Sequence, residues 1–92
     1  MKKLILDLGI GDNLRRLRKA YHLTQADVTA QLQLLGSDIE RTTYGKIEAG
    51  QRNIRLSDLI LLKYIFKADY AEFFEGLVTS ELEVVLKENN LL

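Results

Sequence analysis

The sequence contains no cysteine and no proline. Without thiols there is no disulfide framework and no thiolate for catalysis or metal binding, a usage that suits a reducing compartment. Without proline, nothing in the chain breaks a helix from inside. Histidine occurs once, at His22. No Cys/His set is therefore available to close a zinc site, and neither a metal nor another cofactor is expected. Long apolar runs are missing too. The longest, Leu59 to Leu62, is far below the roughly 20 residues of a membrane-spanning helix, so no membrane partner is expected. The opening MKKLILDLGIG sets two lysines before an apolar patch, as a secretory signal does. Asp7 interrupts that patch and no small-residue cleavage site follows. The expectation is a cytoplasmic protein that keeps this segment.

Net charge is the last absence. The 92 residues carry 13 basic and 13 acidic side chains, a balance of zero. That balance hides a polarity. Residues 1–55 hold 10 Lys and Arg against 6 Asp and Glu, a net of +4, whereas residues 56–92 hold 3 against 7, a net of −4. A basic front can attract a polyanion even when the total is neutral, although a short chain can show such asymmetry by chance.

What is present is helical patterning. Ile10, Leu14, Leu17 and Tyr21 recur at steps of four, three and four, the stripe of a first helix. Asp12 stands in its first turn, where negative charge suits the helix dipole; His22 and Leu23 end it. Thr24 is a suitable cap for a second helix. Val28, Leu32 and Leu35 share a face there, and Gly36 closes it. After a short connection through Ser37, Asp38 and Ile39, a third helix is expected from near Glu40 to near Ala49, with Tyr44 and Ile47 inward. A polar loop, Gln51 to Arg55, is anchored by Ile54. It leads to a fourth helix over roughly Leu56 to Lys67, apolar around more than half its circumference. Such a helix is the hub of a core or offers a face to a second protein. Asp69 and Glu72 have capping-box spacing before a fifth helix that Gly76 ends. Ser80 and Glu83 have it before a short last helix with Leu82, Val85 and Leu86 on its apolar side. The expected fold class is all-α: a compact five-helix bundle over residues 10–77, an N-terminal arm or strand over 1–9, and a short C-terminal helix within 78–92, a candidate dimer contact.

The segment RTTYGKIEAGQRN, Arg41 to Asn53, raises a question. It holds Arg41, Lys46 and Arg52, two adjacent threonines, and Gly45 inside a helical pattern. Glycine within a helix costs about 1 kcal/mol relative to alanine, so Gly45 implies a close approach by DNA or by another helix. Surface cations taken alone are more often simply solvated. The order of the segments shifts that balance. IGDNLRRLRKAYHLTQADV, then TTYGKIEAGQR, then LSDLILLKYIFKADYAEFFEGL together resemble the lambda-Cro/repressor-like helix-turn-helix regulators, also called the xenobiotic-response-element family. The resemblance covers about residues 10–77 and is most specific in LRKAYHLTQADV and in the I-E-x-G of Ile47 to Gly50.

The resemblance implies a bacterial or phage regulator. Its third helix would enter the major groove of double-stranded DNA, and a homodimer would read a palindromic operator. By position, Arg41, Thr42 and Lys46 would reach base edges, and Thr43 would contact the backbone. Gln25 would touch phosphate while bracing the third helix. Gln51, Arg52 and Asn53 would grip phosphate beyond it, and Arg18 with Glu48 would form a buried ion pair between the first and third helices. Arg and Lys suit the acceptors of guanine, and Thr suits a base edge or a thymine methyl. Phosphate contacts fix register and carry little sequence information. The implied function is a sequence-specific transcriptional regulator, a dimeric repressor acting by operator occupancy and not an enzyme.

The sequence departs from the family pattern in four places. QLLGSD lengthens the connection after the second helix, Glu40 stands where Ser or Thr is common, Thr29 stands where alanine is usual, and Arg55-Leu56 replaces a Pro-Ser start. The alternative reading is a protein-interaction module, antitoxin-like or anti-repressor-like, that keeps the fold and binds a protein partner through the fourth helix and the acidic tail. Arg15, Arg16 and Lys19 are expected on a solvated face. Glu72, Glu75, Glu81 and Glu83 are expected as caps and solvated charges, with no nucleophile beside them. Tyr64, Phe66, Tyr70, Phe73 and Phe74 are expected in the core, some of them joining Leu77 and the last helix in a dimer contact.

Overall fold

A computed structural model describes residues 9–92; the arm or strand expected over residues 1–9 therefore lies, up to residue 8, outside the described residues. Six helices follow in order: α1 (Gly11–Ala20), α2 (Gln25–Leu34), α3 (Arg41–Glu48), α4 (Leu56–Ile65), α5 (Tyr70–Phe73) and α6 (Ser80–Glu88). The all-α bundle expected from the periodicity is present. α3 packs against both α1 and α2, α4 against α2, and α5 against α1.

The apolar stripes converge on one core. Leu14 and Leu17 from α1, Val28 and Leu32 from α2, Tyr44 and Ile47 from α3, and Leu59 and Leu62 from α4 are all buried, with Ile39, Phe66, Ala68 and Phe73. Each large side chain so buried contributes about 1.5–3 kcal/mol. Phe66 and Phe73 stack with ring centroids 6.4 Å apart. The other three aromatics do not join them: Tyr64, Tyr70 and Phe74 are exposed, as are Tyr21 and Leu35 at the outer ends of their stripes.

The helix ends are closed by local hydrogen bonds. In α1 to α4 and in α6, the residue after the cap takes a positive φ (His22, Gly36, Gly50, Lys67, Asn90). The next N–H then reaches back to a carbonyl: Leu23 to Arg18, Ser37 to Leu32, Gln51 to Lys46, Ala68 to Lys63, Leu91 to Leu86. This C-terminal closure satisfies carbonyls that a helix end otherwise leaves without partners. α4 therefore stops at Ile65, two residues before the expected Lys67, because Lys67 is the residue that turns left-handed. At the start of α2, Thr24 Oγ1 accepts from the Asp27 N–H at 3.0 Å and Asp27 accepts from the Thr24 N–H at 2.9 Å. The hydrogen bonds from Thr24, the backbone one foremost, hold the Asp27 carboxyl below the usual range.

Two more expectations need correction. The cap of α6 is Thr79, whose hydroxyl accepts from the Leu82 N–H at 3.2 Å. Thr79 has extended backbone, φ −76 and ψ 165, so Ser80 is already inside the helix and Glu83 is one position too far for a capping box. Arg16 is not merely solvated. It donates to the Glu72 carbonyl at 3.1 Å and pairs with Glu75 at 3.1 Å. Beside it, Asn13 Nδ2 donates to the carbonyls of Phe73 and Glu75, both at 2.9 Å. α5 has only four residues, and α1 supplies partners for carbonyls at its end.

Gly11 sets how closely α1 approaches α3. A Cβ there would overlap the Glu48 carbonyl oxygen and stand 2.7 Å from the Ile47 carbonyl oxygen. Both are backbone atoms, so only movement of a whole helix relieves the clash. Gly11→Ala is expected to lower stability by at least about 1–3 kcal/mol, despite alanine's better helix propensity, as measured by urea unfolding.

Candidate nucleic-acid interface

α3 is short and two-sided. Its inward side is Tyr44, Ile47 and Glu48, all buried; Arg41, Thr42, Lys46 and Ala49 are exposed, and Gly45 and Thr43 are half-buried. At helical spacing Thr42, Lys46 and Ala49 share the outward arc, with Arg41 at its rim. Glu40 caps the helix without a side-chain bond to it. Among the described residues, no ion pair or side-chain hydrogen bond engages Arg41, Lys46 or Arg52.

The inward side is held by one carboxylate. Glu48, 2 % exposed, takes Arg18 Nε at 2.8 Å and Arg18 Nη2 at 3.0 Å in a bidentate pair. Gln25 Nε2 donates to the same carboxylate at 3.1 Å, and Arg15 Nε lies 3.7 Å away. Arg18 Nη1 meanwhile donates to the Leu23 carbonyl at 2.8 Å. Side chains of α1 and α2 thus meet one side chain of α3, and the α1–α2 turn is bonded to the same guanidinium. Burial alone would push the Glu48 carboxyl up; the hydrogen bonds from Arg18 and Gln25 outweigh it and hold the carboxyl below the usual range. The hydrogen bond to Glu48 raises Arg18. The Tyr44 hydroxyl is buried beside the pair with no hydrogen-bond partner. Burial first, then the adjacent Glu48 carboxylate, pushes its ionisation far above the ordinary phenol range, so it stays neutral.

Gly45 has a neighbour in this network. A Cβ there would stand 3.2 Å from Gln25 Oε1. The close approach that its position implies is therefore made by the side chain at the start of α2. Thr29, where alanine was usual, is buried and satisfies its hydroxyl within its own helix, donating to the Gln25 carbonyl at 2.8 Å.

A second polar network carries the loop after α3. Asp58, 1 % exposed, accepts from Ser37 Oγ at 2.6 Å and from Arg55 Nε at 2.9 Å. Arg55 also pairs with Asp38 at 2.7 Å. Asp58 foremost, then Asp38, holds the Arg55 guanidinium above its usual value. The connection between α2 and α3 is thereby fastened to the start of α4. A groove opens between them, with Glu40 and Thr43 on one wall and Arg52 and Asn53 on the other. Sequence reasoning missed this network. Its one local signal is the Arg55–Asp58 spacing of three, and Ser37 lies 21 residues away from its partner.

The residues singled out from sequence thus fall into three places. Arg41, Thr42 and Lys46 lie on the outside of α3. Thr43, Arg52 and Asn53 come together in the groove, with Gln51 exposed just before it and its N–H bonded to the Lys46 carbonyl at 2.8 Å. Arg18, Glu48 and Gln25 form the buried brace, with one Gln25 Nε2–H bonded to Glu48. Comparison with family models, curated proteins and solved structures returned no match.

Glu48→Gln is expected to cost about 3–5 kcal/mol, because the buried Arg18 loses its counter-charge. The folded-state pKa of Glu48 lies below the unfolded value of about 4.3. The stabilisation from the pair is therefore complete above that pH and is lost as pH falls through the folded pKa. Urea unfolding followed from pH 7 to pH 3 should show an acid-side loss that is smaller in the Glu48→Gln variant.

Proposed function

We propose that this chain is a sequence-specific, double-stranded DNA-binding regulator of the Cro/repressor-like helix-turn-helix kind, with α2 and α3 as the two helices of that unit. α3 would lie in the major groove, and the protein would act in a bacterial or phage cytoplasm as a dimer that occupies an operator and blocks or tunes transcription.

The observation that carries this reading is a sorting of the cations. Arg16, Arg18 and Arg55 each have a carboxylate partner. Arg41, Lys46 and Arg52, on the outer surface of α3 and the loop behind it, have none among the described residues. Arg41 and Lys46 stand on the helix whose opposite face is locked by the buried brace, and Arg52 on the loop that follows it. Unpaired cations on a fixed helix suit guanine acceptors and phosphate oxygens. Glu40, with its carboxylate unused as a cap, can accept from a cytosine amino group. The basic front, net +4 over residues 1–55, favours approach to the polyanion.

The second reading, a protein-binding module, is favoured by one feature: α4 exposes Leu56, Ile60 and Tyr64 along its outer side. Salt separates the two. DNA affinity should fall with a log–log slope of about −0.9 per phosphate contacted, whereas an apolar protein contact should change little.

The first experiment is capture of sheared genomic DNA from the source by the purified protein at moderate salt, with sequencing of what is retained. A two-fold symmetric motif is expected; no enrichment even at low salt would sink the proposal. On the selected site, Arg41→Ala and Lys46→Ala should each cost about 1–3 kcal/mol and relax preference at one or two bases. Arg52→Ala should weaken all sequences alike and make the salt slope shallower by about one phosphate.

A further inference from the structure

α3 is only eight residues long. Burial of Tyr44 and Ile47 holds it against the core, but apolar contact is non-directional. A rod with one polar anchor can still tilt about it. The brace at Glu48 anchors the last residue. The first turn has no comparable anchor of its own: Glu40 makes no side-chain capping bond, and Arg41 and Thr42 are exposed. The residues just before that turn are held instead. Ser37 Oγ donates to Asp58 at 2.6 Å, and it accepts from Arg55 Nη2 and from the Ile39 N–H, both at 3.2 Å. One donor and two acceptor sites are all that a hydroxyl has, so Ser37 is fully used. Arg55 Nε closes the ring, donating to the other Asp58 oxygen at 2.9 Å. From the α2 side, Gln33 Nε2 donates to the Ile39 carbonyl at 2.8 Å. Ile39 is thus fastened at its N–H and at its carbonyl, with its side chain in the core, one residue before the cap of α3. Asp58 lies in the first turn of α4, so α4 supplies the fixed end of this cluster.

We propose that Ser37, Asp58 and Arg55 are positioning residues for the DNA-binding surface: they form the second polar anchor of α3 and set the tilt at which Arg41 and Thr42 are presented. This role rests on the DNA-binding reading above. Arg41 lies at the end of α3 that the cluster holds, and Lys46 at the end that the brace holds. Loss of the cluster should therefore be felt at Arg41 and spare Lys46.

Two measurements test this, the first without DNA. Amide hydrogen exchange is compared at the two ends of α3. Tyr44 N–H donates to the Glu40 carbonyl and Ala49 N–H to the Gly45 carbonyl, both at 3.0 Å. In Ser37→Ala, exchange at Tyr44 should quicken about tenfold relative to Ala49, the scale of one hydrogen bond. Ser37→Thr, which keeps the hydroxyl, should restore the ratio. Arg55→Gln should shift it in the same direction as Ser37→Ala, and it carries the test if Ser37→Ala does not fold. Equal quickening at both amides, or none, would make the cluster a general stabiliser and overturn the proposal. The second measurement uses the selected operator. In the Ser37→Ala background, the affinity lost on Arg41→Ala should shrink to less than about twofold, because the two changes share one effect, while the loss on Lys46→Ala stays whole. Undiminished losses from both would equally overturn the proposal. If the unaltered chain captures no DNA, the DNA half falls with the regulator reading, and the exchange ratio still decides whether the cluster anchors α3.

Discussion

A single buried carboxylate positions the helices around α3. Glu48 receives two bonds from Arg18 and one from Gln25, with Arg15 nearby. A desolvated charge is tolerable only when its partners are in place, and removing one leaves the other stranded. The pair therefore acts as a constraint more than as a source of net energy. It admits one arrangement in which α1 and α2 both reach the inward side of α3. The outward side of α3 is thereby held at a fixed angle to the bundle, and the unpaired cations on it are presented by a rigid element.

Two glycines show what that arrangement demands. Gly11 lets the first turn of α1 lie against the last carbonyls of α3, and Gly45 leaves room for the Gln25 amide that bonds Glu48. Both serve the same junction from opposite sides. Gly45 lowers helix stability by about 1 kcal/mol relative to alanine, and a Cβ in its place would press on Gln25 Oε1 at 3.2 Å. The question raised by a glycine in the middle of a short helix has an answer within the protein itself: its nearest neighbour is a side chain of the adjoining helix.

The charges are sorted by the same fold. Buried or clasped guanidinium groups belong to the scaffold: Arg18 at Glu48, Arg55 at Asp58, Arg16 at the end of α5. Those on the outer side of α3 and in the loop after it belong to the proposed DNA-binding surface. The net balance of zero conceals this division because the acidic residues are concentrated in the second half of the chain. Asp58 and Ser37 add a quieter element. They fasten the long connection between α2 and α3 to the start of α4, so that connection is pinned and the groove beside Arg52 keeps its walls.

Much of this was legible in the sequence. Helix periods, the Thr24 cap, the Gly36 and Gly50 closures and the inward Tyr44 and Ile47 follow from local rules, because capping and amphipathic spacing act over three or four residues. The positions of Arg18 and Glu48 were marked by resemblance, and those of Arg41, Thr42 and Lys46 by resemblance and by their exposure at helical spacing. Tertiary structure decided the rest. Whether Arg16 is solvated or clamps α5, whether Tyr64 is core or surface, what Gly45 approaches, and that Asp58 is buried all depend on residues 20 to 60 positions away. Local spacing carries no information about such distances, since a side chain's partner is set by which helices happen to pack together. The sequence alone determined the helices and their inward faces; only their packing decided which charges were used up inside the protein and which were left for something else.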